Sequence, residues 1–196
     1  MMDKTLRPDS ALLVVDVQND FCPGGALAVQ GGDEVVPELN RWVERFVQEG
    51  RPIAYTRDWH PRDHCSFREK GGPWPVHCVR ETPGANLHPG LNVRGPIFDK
   101  AFEPGTEAYS GFGGFLRAEG QITDLSLAEW LRKQGIKHVY VGGLTTDYCV
   151  RTTTLDALRE RFEVTVLSQA TRAVNVQPDD GRRAMEEMKR GGAEFV

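Results

Sequence analysis

The fold of this chain is decided by the stretch Ala11-Leu12-Leu13-Val14-Val15-Asp16-Val17-Gln18-Asn19-Asp20-Phe21. Its apolar run from Leu12 to Val15 is typical of a short strand that is buried on both faces, as in a parallel sheet. Asp16 follows at once, and burying a carboxylate costs free energy unless the charge is paired. The stretch therefore predicts a parallel sheet whose first strand ends at an acid that needs a partner.

Strands and helices alternate along the rest of the chain. Apolar spacing, with Asp124 as the N-cap of the second helix, predicts helices over 33–49, 124–134, 147–160 and 179–190. Short apolar runs predict further strands over 52–56, 97–100, 138–141, 164–167 and 194–196. The stretches 57–95 and 103–114 are irregular, which in a compact domain usually indicates function or mobility. This order predicts one α/β domain over residues 1–196 with a mainly parallel central sheet.

The composition is that of an ordinary globular protein, with 39% hydrophobic and 27% charged residues. A net charge of -4 gives no basic surface for nucleic acid, and no apolar stretch has the length that a membrane span requires. Residues 1–10 lack the apolar core of a signal peptide. A chain with this much apolar periodicity does not need disulfides for stability, so we expect a cytoplasmic protein with four reduced thiols and no membrane partner. The cysteines form no Cys-x-x-Cys motif, which argues against a redox or structural-zinc role.

Polar side chains follow four of the predicted strands. Asp16, Asp58 and Lys100 each end an apolar run, and Cys149 lies in the turn after another, within Gly142 to Val150. Ligands of open α/β sheets bind beyond the carboxyl ends of the strands, where these residues would meet. The sequence therefore predicts a site at this edge of the sheet.

The chemistry of Cys149 and Asp16 is that of a nucleophile and its base. Thr146 or Asp147 is positioned to cap the following helix, whose first turn would then stabilise a Cys149 thiolate and supply amides for an oxyanion hole. Asp16 is the candidate base, and Lys100 would offset its buried charge. The structural alternatives are a small buried cysteine, an Asp16 carboxylate that caps a nearby helix, and a lysine that extends to solvent.

A second cluster has the composition of a metal site. Asp58 and His60 lie two residues apart, so on an extended chain their side chains share a face. His64 and His77 come from the same irregular segment. A carboxylate and two histidines suit Zn, Fe(II) or Mn and leave positions open for water or substrate. We interpret the remaining two histidines, His88 and His138, as structural.

These motifs together resemble a known family. They are Val15-Asp16-Val17-Gln18-Asn19-Asp20-Phe21, Asp58-Trp59-His60, Trp74-Pro75-Val76-His77-Cys78, Lys100 and Gly143-Leu144-Thr145-Thr146-Asp147-Tyr148-Cys149-Val150. In this order they resemble the nicotinamidases (pyrazinamidases) of the isochorismatase-like hydrolase superfamily, a three-layer α/β/α fold. Asp16, Lys100 and Cys149 alone would indicate only the cysteine amidohydrolases of that superfamily.

The resemblance implies a reaction. Cys149 would attack the carboxamide of nicotinamide, with Asp16 as base and Lys100 orienting and balancing Asp16. Backbone amides of Thr145 and Cys149 would hold the oxyanion, next to a cis peptide between Leu144 and Thr145. Hydrolysis of the thioester would give nicotinate and ammonia, as in NAD salvage.

The resemblance also implies how the substrate ring is held. Asp58, His60 and His77 would bind one divalent metal ion that grips the pyridine nitrogen, with no organic cofactor. His64 stands where some members use a further histidine ligand and others leave a water. The ring of a small aromatic amide would be packed by Phe21, Trp74 and Tyr109. Members of the family often form homo-oligomers.

Three other functions fit part of the pattern. An amidohydrolase of the same superfamily acting on carbamoyl or ureido substrates would need Asp16, Lys100 and Cys149 but not the metal cluster. A non-haem iron oxygenase would use the metal cluster and leave those three residues unexplained. A non-catalytic α/β binding module would bind its ligand without turnover, since fold alone does not imply function.

Overall fold

The sheet at the centre of the protein has eight strands, in the order β5-β4-β3-β2-β1-β6-β7-β8. The structure is a computed structural model that describes residues 6–196. The strands are β1 Ser10–Val15, β2 Ile53–Asp58, β3 Ile97–Lys100, β4 Phe115–Ala118, β5 Gln121–Ser126, β6 His138–Leu144, β7 Glu163–Arg172 and β8 Glu194–Phe195. The six strands β3, β2, β1, β6, β7 and β8 are adjacent in the sheet and run parallel to one another. The strands β4 and β5 form an antiparallel hairpin at one edge of the sheet, next to β3. The mainly parallel sheet is as predicted.

Helices cover both faces of this sheet. The helices are α1 Val35–Gln48, α2 Leu127–Lys133, α3 Arg151–Arg159 and α4 Asp180–Arg190. β1 is buried along its whole length, and its alternate residues enter two separate cores. Leu12 and Val14 pack in the core that contains α1, whereas Leu13 and Val15 pack in the core of the other three helices. This explains the unbroken apolar run of β1 and gives three layers, α/β/α.

The antiparallel hairpin corrects one prediction. Asp124 lies exposed within β5 and caps no helix, because α2 begins after Ser126. Ser126 accepts a hydrogen bond from the backbone N–H of Glu129, and the Glu129 carboxylate accepts one from the backbone N–H of Ser126. This capping box satisfies two amides at the start of the helix, which Asp124 does not do.

The long irregular segment between β2 and β3 crosses the carboxyl edge of the sheet. It is held by short pairings, including bridges between His60 and Val79 and between Gln18 and Leu87. These pairings satisfy backbone groups, and the segment brings His60 and His77 close to Asp58 at the end of β2. The four cysteines are free thiols, and no helix within residues 6–196 is both long and apolar enough for a bilayer.

Candidate active site

Three polar side chains from separate parts of the sequence meet at the carboxyl edge of the sheet. Asp16 follows β1, Lys100 ends β3, and Cys149 lies in the turn after β6. The Lys100 Nζ atom is 3.0 Å from Asp16 Oδ2 and 3.6 Å from Cys149 Sγ. The other Asp16 oxygen accepts a 2.7 Å hydrogen bond from the Thr56 hydroxyl. Asp16 and Lys100 are both fully buried.

The Lys100 ammonium is the positive centre of the site. Besides Asp16 it forms an ion pair with Asp58, and it donates a 3.1 Å hydrogen bond to the carbonyl of Ala108. Burial by itself would lower the pKa of Lys100, but the two carboxylates raise that pKa well above its usual range. Lys100 therefore stays charged and links the two acids.

The two acids respond differently to this surrounding. Burial raises the pKa of Asp16, and Lys100 opposes the effect without cancelling it. Burial acts on Asp58 in the same direction, but Lys100 and then His60 hold the pKa of Asp58 well below its usual range. Asp58 is thus the more acidic carboxyl of the two, and Asp16 is the one with the greater affinity for a proton.

The surroundings of Cys149 favour a protonated thiol and not the thiolate that the sequence predicts. Burial raises the pKa of the Cys149 thiol well above its usual range, although Lys100 acts to lower it. The Sγ atom and carboxylate oxygens of Asp16 and Asp58 lie within 4.8 Å of one another. The resting thiol therefore keeps its proton and needs a base to become a nucleophile.

The turn that carries Cys149 is π-helical over Thr146–Val150, and its capping differs from the prediction. Thr145 occupies the N-cap position without a side-chain cap. The Thr146 hydroxyl is bonded to Thr171 at 2.8 Å, and Asp147 accepts backbone N–H groups of Val174 and Asn175 at 3.0 and 2.8 Å. The prediction that either residue caps the helix is wrong. The cis peptide between Leu144 and Thr145 is confirmed.

A carboxylate and two histidines lie beside this group. The ligand atoms of Asp58, His60 and His77 are all within 4.8 Å of one another, and all three residues are buried. The Nδ1 atoms of His60 and His77 face the carbonyls of Ala101 and Pro75, at 3.1 and 2.8 Å. Since a carbonyl only accepts, each Nδ1 carries a proton and donates it to that carbonyl, so Nε2 is the nitrogen of each ring that is left to bind an ion.

These three residues fit a divalent metal ion. The Nε2 atom of His60 is buried, lies 3.7 Å from Asp58 Oδ2, and has no hydrogen-bond partner in the described chain. Burial, followed by the neighbouring His60, lowers the pKa of His77 to about 4, so its imidazole is neutral at physiological pH. Histidines that are oriented by backbone carbonyls, together with an anionic carboxylate, are a typical ligand set for zinc.

His64 is the neighbour of this cluster. Its ring centroid lies 4.2 Å from that of His60. Its Nδ1 and Nε2 atoms are hydrogen-bonded to the Ser66 hydroxyl at 2.7 Å and to the Thr106 carbonyl at 3.1 Å. Both ring nitrogens are therefore engaged in this structure, and His64 supports the ring of His60 by stacking.

One cavity connects the two groups of residues. It is lined by Phe21, Leu27, Asp58, Trp74, His77, Tyr109, Thr145, Tyr148, Cys149 and Val174. The Trp74 indole N–H donates a 2.9 Å hydrogen bond to the Tyr109 hydroxyl, and Phe21 packs on His77 at 5.6 Å between ring centroids. The cavity thus has aromatic walls, with a thiol and two members of the candidate metal cluster, Asp58 and His77, in its lining.

Sequence reasoning missed three residues of this lining. Tyr148 is adjacent to Cys149 and packs edge-on against Trp74, at 4.9 Å between centroids. Val174 follows β7, and Leu27 lies in the loop after Phe21. A search of all segments that follow strands would have found Val174, because β7 ends at the same edge of the sheet. Leu27 carries no such signal.

Comparison with known proteins assigns the chain to a family. Residues 10–196 match the Isochorismatase domain, so the chain belongs to this family. The nicotinamidase of Escherichia coli (strain K12) is 40% identical, over 95% of this chain and 93% of the relative. The nicotinamidase/pyrazinamidase of Mycobacterium tuberculosis (strain H37Rv) is 39% identical, over 95% of this chain and 97% of that relative. The crystal structure of the Pyrococcus horikoshii pyrazinamidase in complex with zinc superposes with a TM-score of 0.86 at 48% sequence identity. The match covers 96% of this chain and 99% of that protein.

Proposed function

We propose that this protein hydrolyses nicotinamide to nicotinate and ammonia through a thioester on Cys149. The observation that carries the proposal is a single aromatic-walled cavity whose lining includes Cys149 together with Asp58 and His77. The Isochorismatase domain and the nicotinamidase relatives support a hydrolase that acts on a carboxamide. A small aromatic amide in this cavity would place its carbonyl carbon at the Cys149 thiol and its ring at the proposed metal ligands.

The first half of the reaction forms the thioester. Asp16 Oδ2, which lacks a well-aligned hydrogen bond among residues 6–196, takes the proton of the Cys149 thiol. The Cys149 sulfur then bonds to the carboxamide carbon, and backbone amides of Thr145 and Cys149 hold the resulting oxyanion. Asp16 returns the proton to the amide nitrogen as the C–N bond breaks and ammonia leaves.

The second half releases the acid. Asp16 takes a proton from water, whose oxygen adds to the thioester carbon, and the C–S bond then breaks. The proton returns to the Cys149 sulfur, which regenerates the free thiol, and the nicotinic acid that is released ionises to nicotinate. Lys100 keeps the Asp16 carboxylate oriented and offsets its charge through both steps, as its 3.0 Å contact supports.

Asp58, His60 and His77 would hold one divalent ion at the far end of the cavity. When bound, the ion supplies a Lewis acid for the pyridine nitrogen of the substrate. The zinc complex of the Pyrococcus horikoshii relative supports zinc as the first ion to test, with iron and manganese next. Phe21, Trp74 and Tyr109 would pack the ring, and the nicotinate formed would enter NAD salvage.

Ammonia release from nicotinamide tests the proposal. The wild-type protein, Cys149→Ala and Cys65→Ala are assayed with zinc and after treatment with a chelator. Cys65 lies outside the cavity and is the matched control. We expect release by wild type and Cys65→Ala, none by Cys149→Ala, and loss after chelation. Release from a carbamoyl or ureido compound but not from nicotinamide would overturn the proposal in favour of another amidohydrolase of the superfamily.

A further inference from the structure

The strand β1 ends early on the side that faces β2. Its last ladder bond runs from the backbone N–H of Asp16 to the carbonyl of Thr56, at 3.1 Å. Asp16 has a φ of 48°, in the left-handed region, so the chain leaves the strand there. β2 continues to Asp58, whose backbone N–H and C=O point to the same side as those of Thr56. Asp58 therefore loses the strand neighbour that would pair with both groups.

The side chain of Gln18 replaces that neighbour. Its Oε1 atom accepts a 2.8 Å hydrogen bond from the Asp58 N–H, and its Nε2 group donates a 2.8 Å bond to the Asp58 carbonyl. The same Nε2 group donates a 2.9 Å bond to the carbonyl of Ala85. Gln18 is fully buried, so none of these bonds competes with water. One side-chain amide thus pairs with Asp58 as a residue of a neighbouring strand would.

The opposite edge of Asp58 is held by β3. Asp58 lies in register with Lys100, and the backbone N–H of Trp59 donates to the Lys100 carbonyl at 3.0 Å. The main chain of Asp58 is thereby fixed from both sides, and its carboxylate reaches both the Lys100 ammonium and the ring of His60. Without Gln18, only the β3 side would hold it.

We propose that Gln18 is a positioning residue for the metal site, in which its amide sets the Asp58 carboxylate for the ion and for Lys100. This inference rests on the metal site of the proposed function. Only an amide of this length satisfies the three partners. Glutamate cannot donate to two carbonyls, methionine makes no such bond, and asparagine is shorter by one methylene.

Zinc affinity, measured by competition with a chromophoric chelator, tests the proposal without any turnover. The variants are Gln18→Glu, Gln18→Met and Gln18→Asn, beside Gln30→Glu as a control on the surface. We expect the Kd for zinc to rise at least tenfold in each Gln18 variant that keeps its circular dichroism spectrum. We expect no change in Gln30→Glu. A Kd within twofold of wild type in a folded Gln18 variant would overturn the proposal.

Two further measurements separate an effect of Gln18 on metal binding from an effect on folding and from a failure of the proposed reaction. At saturating zinc we expect each folded variant to regain part of its nicotinamide hydrolysis, because the catalytic thiol is unchanged. In the wild type we expect the Asp58 amide to exchange slowly with deuterium, and rapid exchange would overturn the proposal even if no variant folds. Zinc binding by a wild type that releases no ammonia would refute the reaction alone. A wild type that binds no divalent ion would refute the metal site and this inference together.

Discussion

Asp16 combines several unfavourable features in one residue. It is fully buried, has a left-handed φ, and has a pKa raised by burial. Each feature costs folding free energy, and residues held in this way are typical of functional sites. The hydrogen bond from Thr56 and the ion pair with Lys100 offset part of that cost, and one Asp16 carboxylate oxygen lies within 4.8 Å of the Cys149 sulfur.

Replacing this carboxylate with an amide should remove the base and retain the shape of the residue. For Asp16→Asn we expect kcat/KM for nicotinamide to fall about 10³-fold, within the range usual for a general base. The reason is that a neutral side-chain amide cannot accept the proton of a thiol whose own pKa is raised by burial. Steady-state ammonia release gives the ratio. Asp63→Asn, which alters an exposed aspartate, is the control, and a loss of less than tenfold in Asp16→Asn would contradict the assignment.

Candidate site residues can be selected from the sequence by their residue type, but the groups to which they bond cannot. Asp16, Lys100 and Cys149 can be selected because charged or reactive side chains are unusual at the ends of apolar runs, and the structure brings them together. Gln18 and Asp147 bond to backbone groups that are 40 and 27–28 residues away. Nothing in the local pattern names those partners. The same limit explains why the sequence predicts that Asp147 caps its own helix, which it does not do.

At the scale of elements, an ion network fixes the register of β2 and β3. Arg57 of β2 lies opposite Asp99 of β3, and the next pair along the two strands is Asp58 with Lys100. Side chains alternate along a strand, so the Arg57–Asp99 pair lies on the face away from the site. Arg117 of β4 pairs with the second Asp99 oxygen, and both guanidinium groups lie over the Trp59 ring. This network joins three strands behind the candidate active site.

Removing the shared acid should therefore weaken the whole sheet edge. Asp99 is fully buried, and the side chains of Arg57 and Arg117 are 11% and 19% exposed. In Asp99→Ala two largely buried cations lose their partner, and we expect the free energy of unfolding to fall by roughly 3 kcal/mol. Urea denaturation measures the loss. Arg182→Ala, which removes exposed ion pairs of α4, should leave the midpoint unchanged. A loss below about 1 kcal/mol in Asp99→Ala would show that the network contributes little.

The hairpin of β4 and β5 is the element that the sequence does not predict. Its residues are half-buried or exposed, so they lack the apolar alternation that marks a strand packed on a core. Its turn, Glu119-Gly120, has positive φ at both residues, as in a type I′ turn. Glutamate is rare at the first of these positions, where asparagine or aspartate is usual, so Gly120 at the second position is only half of the expected turn signal.

At the scale of the whole molecule, the order of strands and helices is sufficient to predict where the site lies. Parallel strands bring their carboxyl ends to one edge, and the residues that follow β1, β2, β3 and β6 meet there. The path of the 38 residues from 59 to 96 cannot be predicted in the same way, because bridges such as that of His60 with Val79 determine it. The metal-ligand cluster depends on that path.

Metal binding should consequently stabilise the folded molecule as a whole. Asp58 lies on β2, whereas His60 and His77 lie in the long segment, so the three ligands come together only after folding. An ion present at a hundred times its Kd then adds about 2.7 kcal/mol to the free energy of unfolding. For a chain of 196 residues this corresponds to a rise in Tm of roughly 5–10 °C. We expect zinc to cause this rise in metal-stripped wild type and in Cys149→Ala, which keeps all three ligands, but little rise in His77→Ala. An equal rise in His77→Ala would place the ion elsewhere, since the loss of one of three ligands must weaken a site built from them.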